Sequence, residues 1–326
     1  LKLEHAEGAL IVEETGEGRR KVRAEPVPGV FSPMREITTE YPVELLSRIL
    51  ETKGVSYVVN EIARDVDPGM VQASLLPELD AYFHEDEING KRVLDFGCGA
   101  GASTMILARR YPEAHVTGVE LADHLLDLAR ARLDFYQYPN VELHVSPSPT
   151  ELPAGLGQFD VIIFSAVFEH LLPNERQYVM PLIWGALKPG GKLFINQTPH
   201  RYFPHEGHTT GLPLINYLPD SLTGWAARTW SDRDLENDDW STLLRKGIRG
   251  GTEAEMVRCL GPKESTKAEV LEPSRNGVQS RLDLWFSQLS PGRRGLKKAA
   301  RAVLRGVQAV TGSLVTPNVT LVIRKG

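Results

Sequence analysis

Between residues 90 and 199, short apolar runs rich in β-branched residues alternate with amphipathic stretches. That rhythm predicts βαβ units feeding a parallel sheet, an α/β fold class. Strands are predicted at 91–97, 114–121, 140–145, 159–166 and 192–198. Between the second and third, Leu125, Leu126, Ala129 and Leu133 recur on one helical face, while Arg130, Arg132 and Asp134 fall elsewhere. The Lys-Pro-Gly-Gly run at 188–191 predicts the turn that enters the fifth strand.

Outside that core the periods differ. Residues 9–25 read as two short strands around a glycine-bearing turn, and 26–33 as a linker. Val43, Leu46, Ile49 and Leu50 repeat at helical spacing, which predicts helix over 42–84. Residues 199–265 break the α/β rhythm and hold Trp225, Trp230 and Trp240 together with three of the nine histidines. A basic helical stretch follows around 291–311, and Val319, Leu321 and Ile323 alternate in a closing strand over 318–325 that should return to the main sheet. The predicted organisation is a strand and linker arm over 1–40, a helical extension over 41–89, and one domain over 90–326 with cap insertions near 199–265 and 280–312.

Composition narrows the class. With 326 residues, 41% hydrophobic and 24% charged, the chain reads as globular. A formal net charge of −5 gives no general attraction to nucleic acid or anionic membrane, so either contact needs a local patch. Cys98 and Cys259 are too far apart for a zinc motif and too few for a disulfide framework, so a reducing compartment is expected. The apolar run at 161–168 is far short of a bilayer span and no signal-peptide pattern opens the chain, which predicts a cytoplasmic protein. Because the chain begins at Leu1 rather than Met, a cleaved leader stays open.

The candidate chemistry starts at Val-Leu-Asp-Phe-Gly-Cys-Gly-Ala-Gly, residues 93–101, where a strand runs through Asp95 into Gly97, Gly99 and Gly101. Glycines at a strand exit let backbone N–H groups approach a ligand closely. Gly97, Gly99 and Ala102 also fit a dinucleotide fingerprint, so NAD is an alternative. Asp95 separates the two readings. Beside a pyrophosphate its carboxylate would repel like charge in a partly desolvated pocket. S-adenosylmethionine (SAM) instead carries an ammonium and a sulfonium and no phosphate.

This segment resembles motif I of the class I SAM-dependent methyltransferases, an acid, one residue, then Gly-x-Gly-x-Gly. The resemblance implies a Rossmann-like, seven-stranded, mostly parallel sheet with helices on both faces. It implies that Gly97, Gly99 and Gly101 pass under the methionine and ribose of SAM, with Asp95 near the amino end. Glu120, 19 residues past Gly101, stands where the family places an acid that accepts the ribose hydroxyls, one on each carboxylate oxygen. Cys98, Leu121 and Ser165 are further implied cofactor contacts. Residues 159–171 resemble the family's fourth strand and following turn, and 187–199 its entry to strand five. Where the family often has an Asp that accepts from the adenine amino group, this chain has Pro147 and Ser148, so Ser148 would contact adenine without charge assistance.

Methyl transfer is an in-line displacement, so positioning carries much of the acceleration, and a base is needed only where the acceptor must lose a proton. His170, in Phe-Glu-His-Leu behind the fourth strand, is the first candidate base; alternatively it caps the turn. His200, His205, Glu206 and His208 follow strand five and should overhang the methyl. They offer a local base, a divalent metal site that acidifies a hydroxyl, or a hydrogen-bonded lid. The three tryptophans offer stacking for a sugar ring, or the core of a helical cap. Arg293, Arg294, Lys297, Lys298, Arg301 and Arg305 lie opposite a stripe of Leu296, Ala300, Val303 and Val307. That pattern reads as a peripheral membrane contact over 293–307 or, by preference, as a cap helix with its stripe packed inward.

The function expected is methyl transfer from SAM, leaving S-adenosylhomocysteine, to a hydroxyl of a small-molecule or glycan acceptor, the sugar possibility extending to a lipid-linked precursor. Alternatives are methylation of nitrogen or carbon in a secondary metabolite, a SAM-binding regulator without turnover, and an NAD oxidoreductase. Nucleic acid is not expected as a partner, because strand four ends in Phe-Ser-Ala-Val-Phe-Glu-His instead of the Asn/Asp-Pro-Pro-aromatic turn used on base amino groups.

Overall fold

A computed structural model describes residues 1–289, 292 and 294–326. The chain opens with β1 (Lys2–His5), β2 (Gly8–Gly16), β3 (Arg19–Pro26) and β4 (Glu36–Thr39), then α1 (Val43–Val66) and α2 (Val71–Tyr82). The α/β core follows as β5 (Arg92–Phe96), α3 (Ala102–Arg110), β6 (His115–Glu120), α4 (Asp123–Tyr136), β7 (Val141–Val145), β8 (Phe159–Ser165), α5 (Pro173–Gly185) and β9 (Leu187–Pro199). The cap region comprises β10 (His205–Glu206), β11 (Leu212–Pro213), α6 (Asp220–Trp230), α7 (Trp240–Arg245) and α8 (Glu253–Cys259). β12 (Ala268–Leu271), α9 (Arg281–Ser287), α10 (Arg294–Thr311) and β13 (Asn318–Lys325) close the chain.

Two compact units emerge, Leu1–Leu76 with Gly97–Pro147, and Pro77–Phe96 with Ser148–Gly326. A seven-stranded sheet has the order β12-β13-β9-β8-β5-β6-β7, in which β13 runs antiparallel to both neighbours. The pairs β5/β8, β8/β9 and β6/β7 are parallel. The alternating strand predicted over 318–325 thus returns to the sheet. The five core strands fall where the apolar runs predict them, with one difference. β9 begins at Leu187 and includes the Lys-Pro-Gly-Gly run, whose Gly190 takes φ 76°, and the register shifts between Phe159 and Val161. The glycines make an irregularity inside the strand and not a turn before it.

In the first unit, β1-β2-β3-β4 form an antiparallel sheet, two strands more than the glycine-turn hairpin predicts. Leu10 and Val12, then Val22 and Ala24, alternate inward and pack with Leu46, Ile49, Val58 and Ile62 of α1. One face buried and one wet is the usual state of such a sheet. α1 kinks at Gly54 (φ 66°), where the Glu7 carboxylate accepts from Ser56 N–H and Oγ at 3.0 Å each. Arg132 overturns its expected place off the buried side of α4: it is fully buried, ion-paired to Glu61 at 3.0 Å and Asp65 at 3.3 Å. Two carboxylates from α1 make a place for a charge that helical periodicity alone assigns to water.

The second unit corrects two other expectations. The cap core is aliphatic, built on Ile215, Ala226, Ala227, Leu235, Leu243 and Ile248, with Trp240 at its edge. Trp225 and Trp230 are 50% and 57% exposed and meet edge to face at 4.7 Å. In α10 the stripe packs inward only in part: Ala300 is half-buried, but Val303 is 65% and Val307 36% exposed, whereas Lys297, Arg301, Leu304 and Gln308 are half-buried. The reason is Arg301, which pairs with Asp283 of α9 and lies over the Phe286 ring, turning the valines outward. Arg293 lies outside the described residues, as do the side chains of Arg294 and Leu296. Among the described residues, no helix is long and apolar enough to cross a membrane.

Candidate active site

The first unit carries a backbone cradle. Gly97 and Cys98 donate their N–H groups to the Val119 carbonyl at 2.8 and 3.1 Å, tying the loop to the end of β6. Gly97, Gly99 and Gly101 all take positive φ, of 72°, 55° and 85°. Gly101 is also sterically fixed, since a Cβ there would meet the Ala129 Cβ at 2.8 Å. Gly99 N–H donates to Glu120 Oε2 at 2.9 Å, while Leu121 and Ala122 N–H donate to Oε1 at 2.8 and 2.9 Å. Oε1 is therefore filled, and Oε2 keeps one lone-pair direction. Cys98 is buried below the loop and Leu121 is exposed beyond it.

Arg132 holds this cradle from beneath. Its guanidinium donates to the Ala100 carbonyl inside the glycine loop, to the Glu61 carbonyl at 2.7 Å and to Tyr41 Oη at 3.3 Å. A planar fork of five donors can serve all these acceptors and both carboxylates at once. Nothing in the local pattern around 132 signals this, because every partner lies in another element.

In the second unit, Asp95 sits in β5, buried and in register with Ile163, and Ser165 closes β8 opposite Asn196. Ala166 then takes φ 53°, a left-handed conformation costly for a residue with a Cβ, and directs the chain into a short 3-10 turn at Phe168–His170. Ser148 bridges to Glu151, and its Oγ accepts from Thr150 N–H at 3.3 Å.

His170 Nδ1 lies 2.7 Å from the Arg245 carbonyl. A carbonyl only accepts, so Nδ1 carries a proton, and in the neutral ring Nε2 presents a lone pair. Glu169 beside it is fully buried; Thr198 Oγ1 donates to Oε2 at 2.9 Å, and Oε1 has no hydrogen-bond partner. Burial pushes the Glu169 carboxyl up, against the pull of His170. Sequence reasoning weighed His170 in this motif and passed over its neighbour.

His200, His205, Glu206 and His208 line one cavity of about 290 Å³ together with Asn216 and Arg249. Their roles within it differ. Glu206 is buried and accepts four hydrogen bonds, from the N–H groups of His208, Thr209 and Thr210 and from Thr210 Oγ1, so it pins the loop that presents His208. His200 is buried, accepts from Tyr202 N–H at 3.1 Å through Nδ1, and is pushed down by burial to about 4. His205 is exposed on β10. Burial, then the neighbouring His170, lowers His208. Among the described residues, His200, His205, Glu206 and His208 do not converge as a metal quartet. His208 instead joins Glu169 and His170, one ligand atom of each within 4.8 Å of the others.

A sheet in this order, whose first core strand exits into this glycine loop, is a Rossmann-like fold of the kind that class I SAM-dependent methyltransferases share. Residues 93–191, about a third of the chain, match the family described as a methyltransferase domain. That match favours SAM over the NAD alternative. A trans-aconitate 2-methyltransferase from Rhodopseudomonas palustris (strain BisB18) is 40% identical over 106 residues, 32% of this chain and 38% of that protein. A ubiquinone biosynthesis O-methyltransferase from Acinetobacter baylyi is 31% identical over 122 residues, 36% of this chain and 50% of that one. The matched stretches thus span at most half of these relatives' length. Among solved structures, an O-methyltransferase family protein from Burkholderia thailandensis aligns with TM-score 0.46 at 15% identity, covering 86% of this chain and 61% of that one.

Proposed function

We propose that this protein methylates a small-molecule acceptor, at a hydroxyl, using SAM. The observation that carries the reading is the Gly99 N–H bond to Glu120 Oε2, which locks a glycine loop to an acid with acceptor capacity to spare. SAM, when bound, supplies a methyl group on a positively charged sulfur already activated for displacement. Gly97, Cys98, Gly99 and Gly101 provide bare backbone that the donor can approach closely. Glu120 accepts from the ribose through Oε2, and Leu121 borders the same strand end. Asp95 answers the donor's ammonium, Ser148 the adenine, and Ser165 flanks the exit of β8. The acceptor's proton leaves through the group of Glu169, His170 and His208, with Glu206 positioning His208 and with His200 and His205 lining the cavity.

The relatives' names, a trans-aconitate methyltransferase and an O-methyltransferase, support a small acceptor and oxygen as the methylated atom. The exposed pair Trp225 and Trp230 supports a flat or sugar-like partner. Two buried free thiols, Cys98 and Cys259, support a cytoplasmic location. Calorimetry should show binding of SAM and S-adenosylhomocysteine and none of NAD. Incubation with a panel of hydroxy acids, phenols and sugars should then release S-adenosylhomocysteine with at least one of them. Binding without turnover on any oxygen, nitrogen or carbon acceptor would favour a SAM-binding regulator instead.

α10 is proposed to touch anionic lipid. Residues 284–326 contain no Asp or Glu, and Lys298 and Arg305 flank the outward valines. Such a helix binds through apolar burial and charge together. The protein should float with vesicles containing anionic lipid at low salt and dissociate at high salt, and Val303→Asp should abolish flotation. Absence of flotation by the unaltered protein at low salt would end this proposal.

A further inference from the structure

The buried turn behind β8 holds a carboxylate oxygen with no hydrogen-bond partner, and what faces it are two imidazole rings. Glu169 Oε1 has no hydrogen-bond partner, and His170 Nε2 lies 3.8 Å away. His170 cannot turn its N–H toward Glu169 without losing the Arg245 carbonyl at 2.7 Å. His208 closes the group, its ring centroid 5.6 Å from that of His170. Gly247 (φ 93°) makes room on the far side, where a Cβ would sit 2.8 Å from His208 Cδ2, 3.0 Å from Nε2 and 3.2 Å from Glu169 Cγ. The nearby cations are engaged elsewhere: Arg176 with Glu255, Arg245 with Glu175, and Arg233 with the His208 carbonyl.

We propose that Glu169, His170 and His208 form a binding site for a divalent first-row transition ion, with Zn²⁺ as the representative. Two imidazoles and one carboxylate are a borderline donor set that suits such an ion better than Mg²⁺ or Ca²⁺, which prefer oxygen. Three protein ligands leave a fourth position for a water or an acceptor oxygen. The bond from His170 Nδ1–H to a backbone carbonyl is the outer contact that commonly orients a ligating histidine. Ligand atoms within 4.8 Å must draw together to roughly 3.3 Å around an ion with bonds of about 2.0–2.2 Å. His208 is the partner that can adjust, by rotation of its exposed ring on a backbone that Glu206 pins, while Thr198 and Arg245 hold the other two. Catalytic use of the ion rests on the methyl-transfer reading; its binding does not.

The test is titration of the tag-free full chain with Zn²⁺ in the absence of SAM, with Co²⁺ as the spectroscopic probe. One equivalent should bind, and Co²⁺ should show ligand-field bands of a nitrogen and oxygen site without thiolate charge transfer. His208→Ala, at an exposed position that folding does not need, should weaken Zn²⁺ at least about tenfold. Glu169→Gln should do the same where circular dichroism shows it folded. His124→Ala, an exposed histidine on α4, should retain full affinity. No stoichiometric Zn²⁺ binding, equal affinity in His208→Ala, or equal loss in His124→Ala would each overturn the assignment. SAM affinity, measured separately, should be unchanged in His208→Ala, so failure of the ion site and failure of the donor reading are distinguishable.

Discussion

Glu120→Ala is expected to weaken SAM binding by about 100-fold or more. The carboxylate accepts from Gly99, Leu121 and Ala122, so its removal releases the glycine loop from β6 and deletes the proposed ribose contact together. Hydrogen bonds to a charged group contribute about 1.5–3 kcal/mol each, and the loss of one or two that matter only in the complex accounts for that factor. Glu120→Gln should fall between the two. Its amide oxygen can keep Leu121 and Ala122, but its NH₂ then faces the Gly99 N–H, donor against donor. Calorimetry with SAM and S-adenosylhomocysteine measures both variants. Wild-type affinity in Glu120→Ala would mean that the donor binds elsewhere.

Arg132→Met should destabilise the folded protein by about 3–5 kcal/mol, because it strands Glu61 and Asp65 without their buried cation. Arg132→Lys should rescue little, since a single ammonium cannot reach the Ala100 and Glu61 carbonyls and both carboxylates together. The effect carries a pH signature. Burial pushes the Glu61 carboxyl up, yet Arg132 first, then Lys53 and Arg64, outweigh it and hold it below the usual carboxylate range. A carboxyl depressed in the folded state adds stability above its unfolded pKa and loses it as pH falls through the folded one. Without Arg132 the burial effect dominates and the sign reverses, so ionisation of Glu61 then opposes folding as pH rises. Urea unfolding should therefore show a gap between wild type and variant that narrows from pH 8 toward pH 5. A gap independent of pH would assign the loss to packing alone.

The glycine loop and the acid at the end of β6 were legible in the sequence because their signals are local. A glycine's freedom and an acid's charge are properties of single residues, and Asp95, Gly97, Gly99, Gly101 and Glu120 stand at fixed offsets from apolar runs that predict their strands. Arg132 was not legible, since its burial depends on Tyr41, Glu61 and Asp65, which lie 67 to 91 positions earlier in the chain. The same holds for the cap. Whether Trp225 or Val303 faces inward depends on which neighbours arrive first, and Arg301 with its Asp283 partner decides it for α10. Glu169 hid beside a better-known residue type; a carboxylate directly behind the apolar run that ends at Phe168 is itself a sign of burial that could have been read.

The guanidinium beneath the glycine loop has a bearing on how this catalytic segment can be handled. Residues 93–191, lifted out as a minimal methyltransferase, would carry a positive charge at their centre and leave behind Glu61 and Asp65, which neutralise it. The helix contributed by α1 is in that sense a counter-electrode to the glycine loop, and transplanting the loop to another scaffold means transplanting that helix with it.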